Sequence, residues 1–290
     1  MHIKFDAETF DPKRLTLVGH DLASHPLFQF DALVALAKRL PHTQVRFHST
    51  SAGADSDFER VEQQHPHHLG LDEAMANMET SGSWIALHNA QTDPIYKKIL
   101  DEVLDEVKGR VDAKDPGMFN RAMWIFISSP NSVTPFHIDH EQNFLMQLRG
   151  KKHALLWHPL DVLDDHALEV FHSQWHRKEV KYSPNYDDVA QKYVLEPGQG
   201  VYMPCTAPHL VKNADNVSLT VSMTYCTDAT RRTETTYRGK NALRKLGLTP
   251  APLGASPVAD AMTYRLYKTF LDARALAKGD RSDVPGWARF

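Results

Sequence analysis

The sequence has 290 residues, of which 42% are hydrophobic and 24% charged, so it can bury a sizeable core in one large domain or two small ones. The formal net charge of −3 leaves no broad basic surface of the kind that binds nucleic acids. The two cysteines, Cys205 and Cys226, are too few for a disulfide framework and fit a reducing compartment.

The N-terminal stretch MHIKFDAETF does not have the pattern of a secretory signal, which is a charged start followed by an apolar run. No apolar run approaches the length that spans a bilayer. The sequence therefore predicts a soluble, cytoplasmic protein without a membrane or nucleic-acid partner, whose function lies in a local site.

The first part of the chain, residues 1–117, predicts a mixture of helices and short strands. Residues 30–40 have apolar side chains at helical spacing, and a second helix is predicted to begin near Leu71. A longer helix is predicted after Asp93 and Pro94, which are a typical cap and first position of a helix. We predict that these N-terminal α/β elements pack on the region that follows.

From residue 118 the pattern changes to short strands separated by turn residues: AMWIFISS, TPFHIDH, NFLMQLRG, KHALLWH, KYVLEPG, GVYMP, HLVKNA and SLTVSMTY. Short strands at regular spacing favour an all-β barrel or sandwich. We predict that residues 118–228 form this core. Residues 159–194 are polar and rich in Tyr, His and Asp, and we interpret them as a long insertion between two strands.

The C-terminal part, residues 229–290, is predicted to be helical, with a proline-rich connector before a last helix over residues 257–278. That helix has an apolar stripe at helical spacing: Val258, Met262, Leu266 and Phe270, with Tyr267 and Leu271 at its edge. Such a stripe is expected to be covered. It would pair with a second chain in a homodimer, or fold back on the N-terminal helices of its own chain.

Three residues of the β region are candidate metal ligands. His137 and Asp139 are two apart on a predicted strand, and side chains two apart point to the same face. His209, which opens another apolar strand, is the best candidate for the third ligand. Two histidines and a carboxylate form the facial triad that leaves positions open on non-haem iron(II). Each of them alone is more often an ordinary polar residue, and the chain has 17 histidines.

Two other histidine clusters, HPHH at residues 65–68 and HSQWH at residues 172–176, have no carboxylate partner on a predicted strand. We interpret both as solvated loops. His140 and His153 are interpreted as exposed residues or as supports of the ligands. None of these histidines predicts a second metal site.

A more specific pattern extends through residues 134–157, TPFHIDHEQNFLMQLRGKKHALLW. A T-P-x-H-x-D strand is followed by Q-N-F, by an apolar segment ending in G-x-K, and by an apolar strand. With these residues the sequence resembles the Jumonji-C family of iron(II)- and 2-oxoglutarate-dependent dioxygenases, especially the branch that hydroxylates protein side chains such as asparagine or lysine. The resemblance covers residues 124–225, and LRKLGLTPAP also looks like the tails of bacterial cupin-like members.

The resemblance implies a mainly β fold with flanking helices. Its core would be a double-stranded β-helix (jelly-roll, cupin-like), with N-terminal α/β elements and C-terminal helices around it. It also implies that His137, Asp139 and His209 bind Fe(II) and form the catalytic centre, and that 2-oxoglutarate is the co-substrate.

By the same resemblance, Lys152 would pair with the distal carboxylate of 2-oxoglutarate. The chemistry agrees, because a dicarboxylate that chelates a metal at one end needs a cation and a hydroxyl at the other, and Thr134 supplies the hydroxyl. Asn143 would hold the oxoacid end or the ligands through its amide, and Ser222 would contact the co-substrate. Strand alternation favours Lys152 over Lys151 as the inward lysine.

Other interpretations of these co-substrate residues stay open. Lys151 and Lys152 also fit a solvated turn, and Ser222 and Thr224 also fit ordinary polar strand positions. The sequence offers no identifiable tyrosine of the kind that often assists 2-oxoglutarate binding in the family.

The resemblance implies hydroxylation of a protein or peptide side chain, with a small molecule as the alternative substrate, and release of succinate and CO2. Two other functions stay open: a different cupin-type metalloenzyme, such as an isomerase or a 2-oxoglutarate-independent dioxygenase, and a non-catalytic cupin-like binding or regulatory protein. Thr134 with Lys152 argues against the first, and the complete triad argues against the second. Trp124 and Phe126 would supply apolar walls of the pocket.

Overall fold

The computed structural model describes residues 1–173 and 180–278. Over these ranges the chain forms two antiparallel sheets, a longer one of order β1-β2-β10-β7-β12-β5-β4-β3 and a shorter one of order β6-β11-β8-β9. The strands are β1 Ile3–Lys4, β2 Thr16–His20, β3 Val45–Ser49, β4 Ser83–Leu87, β5 Phe119–Ser128, β6 Val133–His137, β7 Gln142–Arg149, β8 Lys152–Leu156, β9 Gln191–Leu195, β10 Gln199–Met203, β11 His209–Asn213 and β12 Ser218–Cys226.

Helices flank the sheets. They are α1 Phe30–Arg39, α2 Val61–Gln64, α3 Leu71–Ala76, α4 Pro94–Asp112, α5 Pro159–Val162, α6 Asp165–Ser173, α7 Asp228–Lys245 and α8 Pro257–Lys278. The predicted start of α4 is confirmed, since Pro94 is its first residue and the Asp93 carboxylate accepts a hydrogen bond from the Ile95 amide at 2.9 Å. In the described part of the chain, no helix is long and apolar enough to cross a membrane.

Side chains of the longer sheet alternate between its two faces, and each face packs into a separate hydrophobic core. One set of side chains, which includes Ile85, Ile125 and Met223, packs with apolar residues of α1 and α4. Opposite the shorter sheet, Leu145 and Val201 pack with its Ala154, Leu156 and Val211 in a second cluster. A layer of apolar side chains between two antiparallel sheets is the packing of a jelly roll. The mainly β fold with flanking helices that the sequence predicts is confirmed.

The shorter sheet contains an irregularity that matters for the site. His209 on β11 pairs with His137, whereas Val211, two residues on, pairs with Thr134, three residues back along β6. Strand β6 therefore has one extra residue, as in a β-bulge, and a bulge re-aims side chains next to it. Because of it, Thr134 and His137 border the same cavity, although residues three apart on a regular strand point to opposite faces.

Beyond the sheets, α6, α7 and α8 form one helical layer. The Arg244 guanidinium of α7 makes two hydrogen bonds, of 2.7 and 2.9 Å, to the buried Glu169 carboxylate of α6. The last helix packs on α7 at Gly239, where a Cβ atom would lie 2.7 Å from the Thr263 methyl group and 3.1 Å from the Tyr267 Cβ. Tyr267 thus faces α7 and is not part of the exposed stripe.

Candidate active site

The two sheets enclose a cavity of about 450 Å³. Side chains from both sheets and from the N-terminal segment line it. All the site residues that the sequence singles out are among them: Thr134, His137, Asp139, Asn143, Lys152, His209 and Ser222, together with Thr224, Trp124 and Phe126. The fold therefore brings together residues that lie up to 100 positions apart in the sequence.

The candidate metal ligands lie at one end of β6 and β11, whose pairing sets His137 beside His209. One ligand atom from each of His137, Asp139 and His209 lies within 4.8 Å of the others. The Asp139 Oδ2 atom is 4.0 Å from His137 Nε2 and 3.5 Å from His209 Nε2. The prediction that one strand carries both His137 and Asp139 is wrong, because β6 ends at His137 and Asp139 comes from the segment that follows it.

Both histidines present the same nitrogen to this centre. His137 Nδ1 donates to the Pro135 carbonyl at 2.7 Å, and His209 Nδ1 donates to the Ala207 carbonyl at 3.0 Å. A carbonyl only accepts, so the proton sits on Nδ1 and the Nε2 lone pair is left to bind a metal. Two imidazole nitrogens and a carboxylate are a donor set that fits iron(II) and leaves positions for other ligands.

A buried cation lies in the same cavity. The Lys152 side chain is inward on β8 and 3% exposed, whereas Lys151 is exposed and pairs with Glu196 at 2.9 Å. Burial lowers the pKa of Lys152 to about 7. No carboxylate pairs with the Lys152 ammonium among the described residues. A buried ammonium without a counter-ion is costly, so this position fits an anionic ligand.

Two more groups suit such a ligand. The Thr134 hydroxyl lies on β6 and accepts a hydrogen bond from the Trp84 indole at 2.9 Å. The Asn143 amide nitrogen donates to the Ser222 hydroxyl at 3.2 Å, while the buried Asn143 Oδ1 has no hydrogen-bond partner in the ranges that the structure describes. The cavity thus offers a metal-binding end and an end with a cation and a hydroxyl.

One wall of the cavity comes from the N-terminal segment, which the sequence did not connect with the site. The Phe58 ring stacks on His137, with ring centroids 3.9 Å apart and planes at 5°. Arg46 holds this ring in place, because it donates to the Phe58 carbonyl at 2.7 Å and pairs with Glu62. Thr43, Glu59, His88 and Glu141 also line the cavity. No local motif marks the segment around Phe58 as part of a site.

The interpretation of the histidine cluster near residue 172 was wrong. His172 lies on α6, is 4% exposed and stacks on Tyr237 with ring centroids 5.1 Å apart. Burial lowers its pKa to about 3, so the ring is neutral. His176 lies outside the described residues. His140 is half-buried, stacks on Phe171 at 3.9 Å and lines the cavity, so it belongs to the wall of the site.

Comparison with known proteins gives the family. Residues 29–230 match the family described as Cupin-like domain. The chain belongs to the cupin-like domain family. The match spans β3 to β12 and includes every candidate site residue, while β1 and β2 of the longer sheet lie before it.

This cupin-like chain also resembles solved structures of one Escherichia coli protein, YcfD. An X-ray structure of YcfD matches with a TM-score of 0.51 and 16% identity, over 100% of this chain and 71% of that one. A second structure, of YcfD as a ribosomal oxygenase, matches with a TM-score of 0.47 and 15% identity over 99% and 70%. A third, in complex with cobalt and 2-oxoglutarate, has a TM-score of 0.45 and 16% identity over 91% and 64%. At 16% identity, the first match, with its TM-score of 0.51, shows a likeness of fold alone.

Proposed function

We propose that the chain is an iron(II)- and 2-oxoglutarate-dependent dioxygenase that hydroxylates a protein or peptide side chain. The observation that carries the proposal is the convergence of His137, Asp139 and His209 in the cavity that also holds the buried Lys152. A metal site alone fits many reactions. A metal site that shares its cavity with a buried cation fits a co-substrate with one chelating end and one carboxylate end.

The balanced reaction takes one C–H bond of the substrate, dioxygen and 2-oxoglutarate to a C–OH group, succinate and CO2. Iron, when bound, supplies the redox chemistry for oxygen insertion. His137, Asp139 and His209 would hold the metal on one face and leave positions for co-substrate and oxygen. Lys152 would neutralise the distal carboxylate of 2-oxoglutarate.

Other side chains of the cavity would orient the co-substrate and exclude water. The Thr134 hydroxyl would donate to the distal carboxylate, and Asn143 with Ser222 would contact the oxoacid end. Trp124, Phe126 and the Phe58 ring on His137 make apolar walls, which limit the access of water to the reacting centre.

The Jumonji-C resemblance is the reason for proposing a protein or peptide side chain as the substrate. YcfD, which shares the fold, is described as a ribosomal oxygenase and provides an example with a macromolecular partner. A small-molecule substrate stays the alternative. We also propose that the protein works in the cytoplasm, in keeping with the two free cysteines of the described chain.

A turnover assay tests the proposed function. We expect protein reconstituted with iron(II) to convert 2-oxoglutarate to succinate, with formation faster in the presence of a peptide that gains one oxygen atom in its mass spectrum. Zinc(II)-loaded protein is the control and should form none, because zinc has no redox chemistry. If the iron-loaded protein turned over a substrate without consuming 2-oxoglutarate, a different cupin-type metalloenzyme would be indicated. Failure to bind any divalent metal would favour a binding or regulatory protein.

We further propose that α8 forms a homodimer. Val258, Met262, Leu266 and Phe270 are each more than half exposed and repeat every four residues, so they form one unbroken apolar stripe. The opposite side of the helix packs on α7 at Gly239. The stripe thus projects away from its own chain, and a second copy of the helix would cover it through a two-fold interface.

Charge reversal on this stripe tests the homodimer. We expect the full chain to be a dimer at micromolar concentration in light scattering, and Met262→Glu with Leu266→Glu to be a monomer, because a dimer would bury both carboxylates. Leu248→Glu, an exposed leucine away from the stripe, is the matched control and should stay dimeric. These substitutions are preferable to removal of α8, which would take away Asp260, the ion-pair partner of the buried Lys240 at 2.7 Å. A monomeric full-length chain would contradict the proposal.

A further inference from the structure

Trp84 lies behind the co-substrate end of the cavity. It is on β4 of the longer sheet and is 1% exposed. Its Nε1 atom donates to the Thr134 hydroxyl, on β6 of the shorter sheet, at 2.9 Å. The two sheets are therefore connected by a hydrogen bond at a residue that borders the cavity.

This hydrogen bond fixes the role of the Thr134 hydroxyl. An indole N–H can only donate, whereas a hydroxyl has one proton and two lone pairs. The bond from Trp84 uses a lone pair of Thr134 Oγ1 and leaves its proton. Within residues 1–173 and 180–278, no protein group accepts that proton. The hydroxyl is consequently set as a donor whose acceptor is not supplied by the surrounding protein.

The indole itself is held rigidly. Its cross-strand neighbour His48 stacks on it, with ring centroids 4.5 Å apart and planes at 23°, and the Phe126 ring lies 5.7 Å away. His48 is fully buried, and burial lowers its pKa to about 4, so this ring is neutral near pH 7. This neutral, stacked ring supports the indole and keeps the Trp84 N–H aimed at Thr134.

We propose that Trp84 is a positioning residue that orients the Thr134 hydroxyl to donate its proton to a carboxylate bound at Lys152. The proposal rests on the proposed function, because the carboxylate is the distal one of 2-oxoglutarate. Chains of hydrogen bonds polarise one another. The bond from Trp84 therefore both selects the rotamer of Thr134 and makes its hydroxyl a better donor.

Calorimetric titration of 2-oxoglutarate into manganese(II)-loaded protein measures this effect without turnover. We expect Trp84→Phe, which keeps an aromatic ring and removes the N–H, to weaken 2-oxoglutarate binding by up to about tenfold, the upper size of one hydrogen bond between neutral groups. Manganese affinity should not change. Trp157→Phe is the matched control, because Trp157 is equally buried and its Nε1 donates to the Tyr186 carbonyl at 2.6 Å, away from Thr134. It should bind 2-oxoglutarate like the unmodified chain.

A double-mutant cycle tests whether Trp84 acts through Thr134. Thr134→Val should weaken binding at least as much as Trp84→Phe, and the double variant should bind no more weakly than Thr134→Val alone. Thr134→Ser keeps the hydroxyl and should restore most of the affinity. If the two losses multiplied in the double variant, or if Trp84→Phe matched Trp157→Phe, the positioning role would be overturned.

The unmodified chain gives a second measurement that does not depend on how the variants fold. In zinc(II)-loaded protein, the indole N–H resonance of Trp84 should shift when 2-oxoglutarate is added, while that of Trp157 should stay in place. A shift of neither resonance, with 2-oxoglutarate bound, would overturn the role of Trp84. If the unmodified, metal-loaded chain bound no 2-oxoglutarate at all, the proposed function itself would be what fails.

Discussion

Asp139→Ala is expected to abolish turnover and to weaken iron binding by more than about 100-fold. Asp139 is the only carboxylate of the candidate triad, and its Oδ2 atom lies 3.5 Å from His209 Nε2 and 4.0 Å from His137 Nε2. Loss of a group that only supports a ligand already costs 10- to 100-fold in affinity or activity, so loss of a ligand should cost more. Metal content after dialysis and succinate formation measure the two effects.

The variant His140→Ala tests whether the residue next to Asp139 binds the metal or only lines the wall of the cavity. His140 stacks on Phe171, so this variant should keep its iron even if substrate binding changes. Both variants should fold, since Asp139 comes from a segment between strands rather than from the apolar core. Turnover at the normal rate by Asp139→Ala would remove the metal assignment.

Lys152→Met should weaken 2-oxoglutarate binding by about 2 to 5 kcal/mol and leave iron affinity nearly unchanged. The substitution keeps an unbranched side chain of similar size and removes the charge, so the distal carboxylate would be buried without its counter-ion. Lys151→Met is the matched control, since Lys151 is exposed and pairs with Glu196. The reverse order of effects would mean that the inward lysine has been assigned wrongly by one residue.

The low pKa of Lys152 also makes this binding depend on pH. Burial lowers the pKa to about 7 in the free protein, and only the ammonium form pairs with a carboxylate. We expect 2-oxoglutarate affinity to be constant below about pH 7 and to fall above it, approaching tenfold per pH unit. Lys152→Met should not have this dependence. If 2-oxoglutarate affinity fell equally with pH in both proteins, the pH dependence would come from another titrating group.

The stability of the co-substrate-free protein depends on pH in the opposite direction to its 2-oxoglutarate affinity. The unfolded chain keeps the Lys152 proton up to its ordinary pKa of 10.5, whereas the folded chain loses it above about 7. The unfolded state therefore binds more protons between these values, so the free energy of unfolding rises with pH in this range. Below about pH 7 the folded chain holds Lys152 as a buried ammonium and bears the full cost of burying its charge. Without co-substrate, Lys152→Met should be more stable than the unmodified protein at pH 6, by up to about 5 kcal/mol.

Much of this protein can be read from local sequence patterns. The short alternating stretches predict the β core, and the cap formed by Asp93 before Pro94 predicts the start of α4. A rule of strand geometry, the alternation of side chains after a turn, selects Lys152 over Lys151 as the inward lysine. These features depend on the backbone near each residue, so the sequence carries them directly. The division at residues 117 and 228 stays a prediction.

Other features depend on contacts between distant parts of the chain. Strand alternation by itself would aim Thr134 away from His137, and only the bulge formed where β6 pairs with β11 brings both to the cavity. The wall at Phe58 depends on Arg46 and its ion pair with Glu62, which no local pattern indicates. His172 was predicted to be solvated because it lies in the polar segment of residues 159–194, yet it packs on Tyr237 of α7 and is buried. Local sequence sets the strands and helices and their faces, whereas pairing register and long-range packing decide which faces meet.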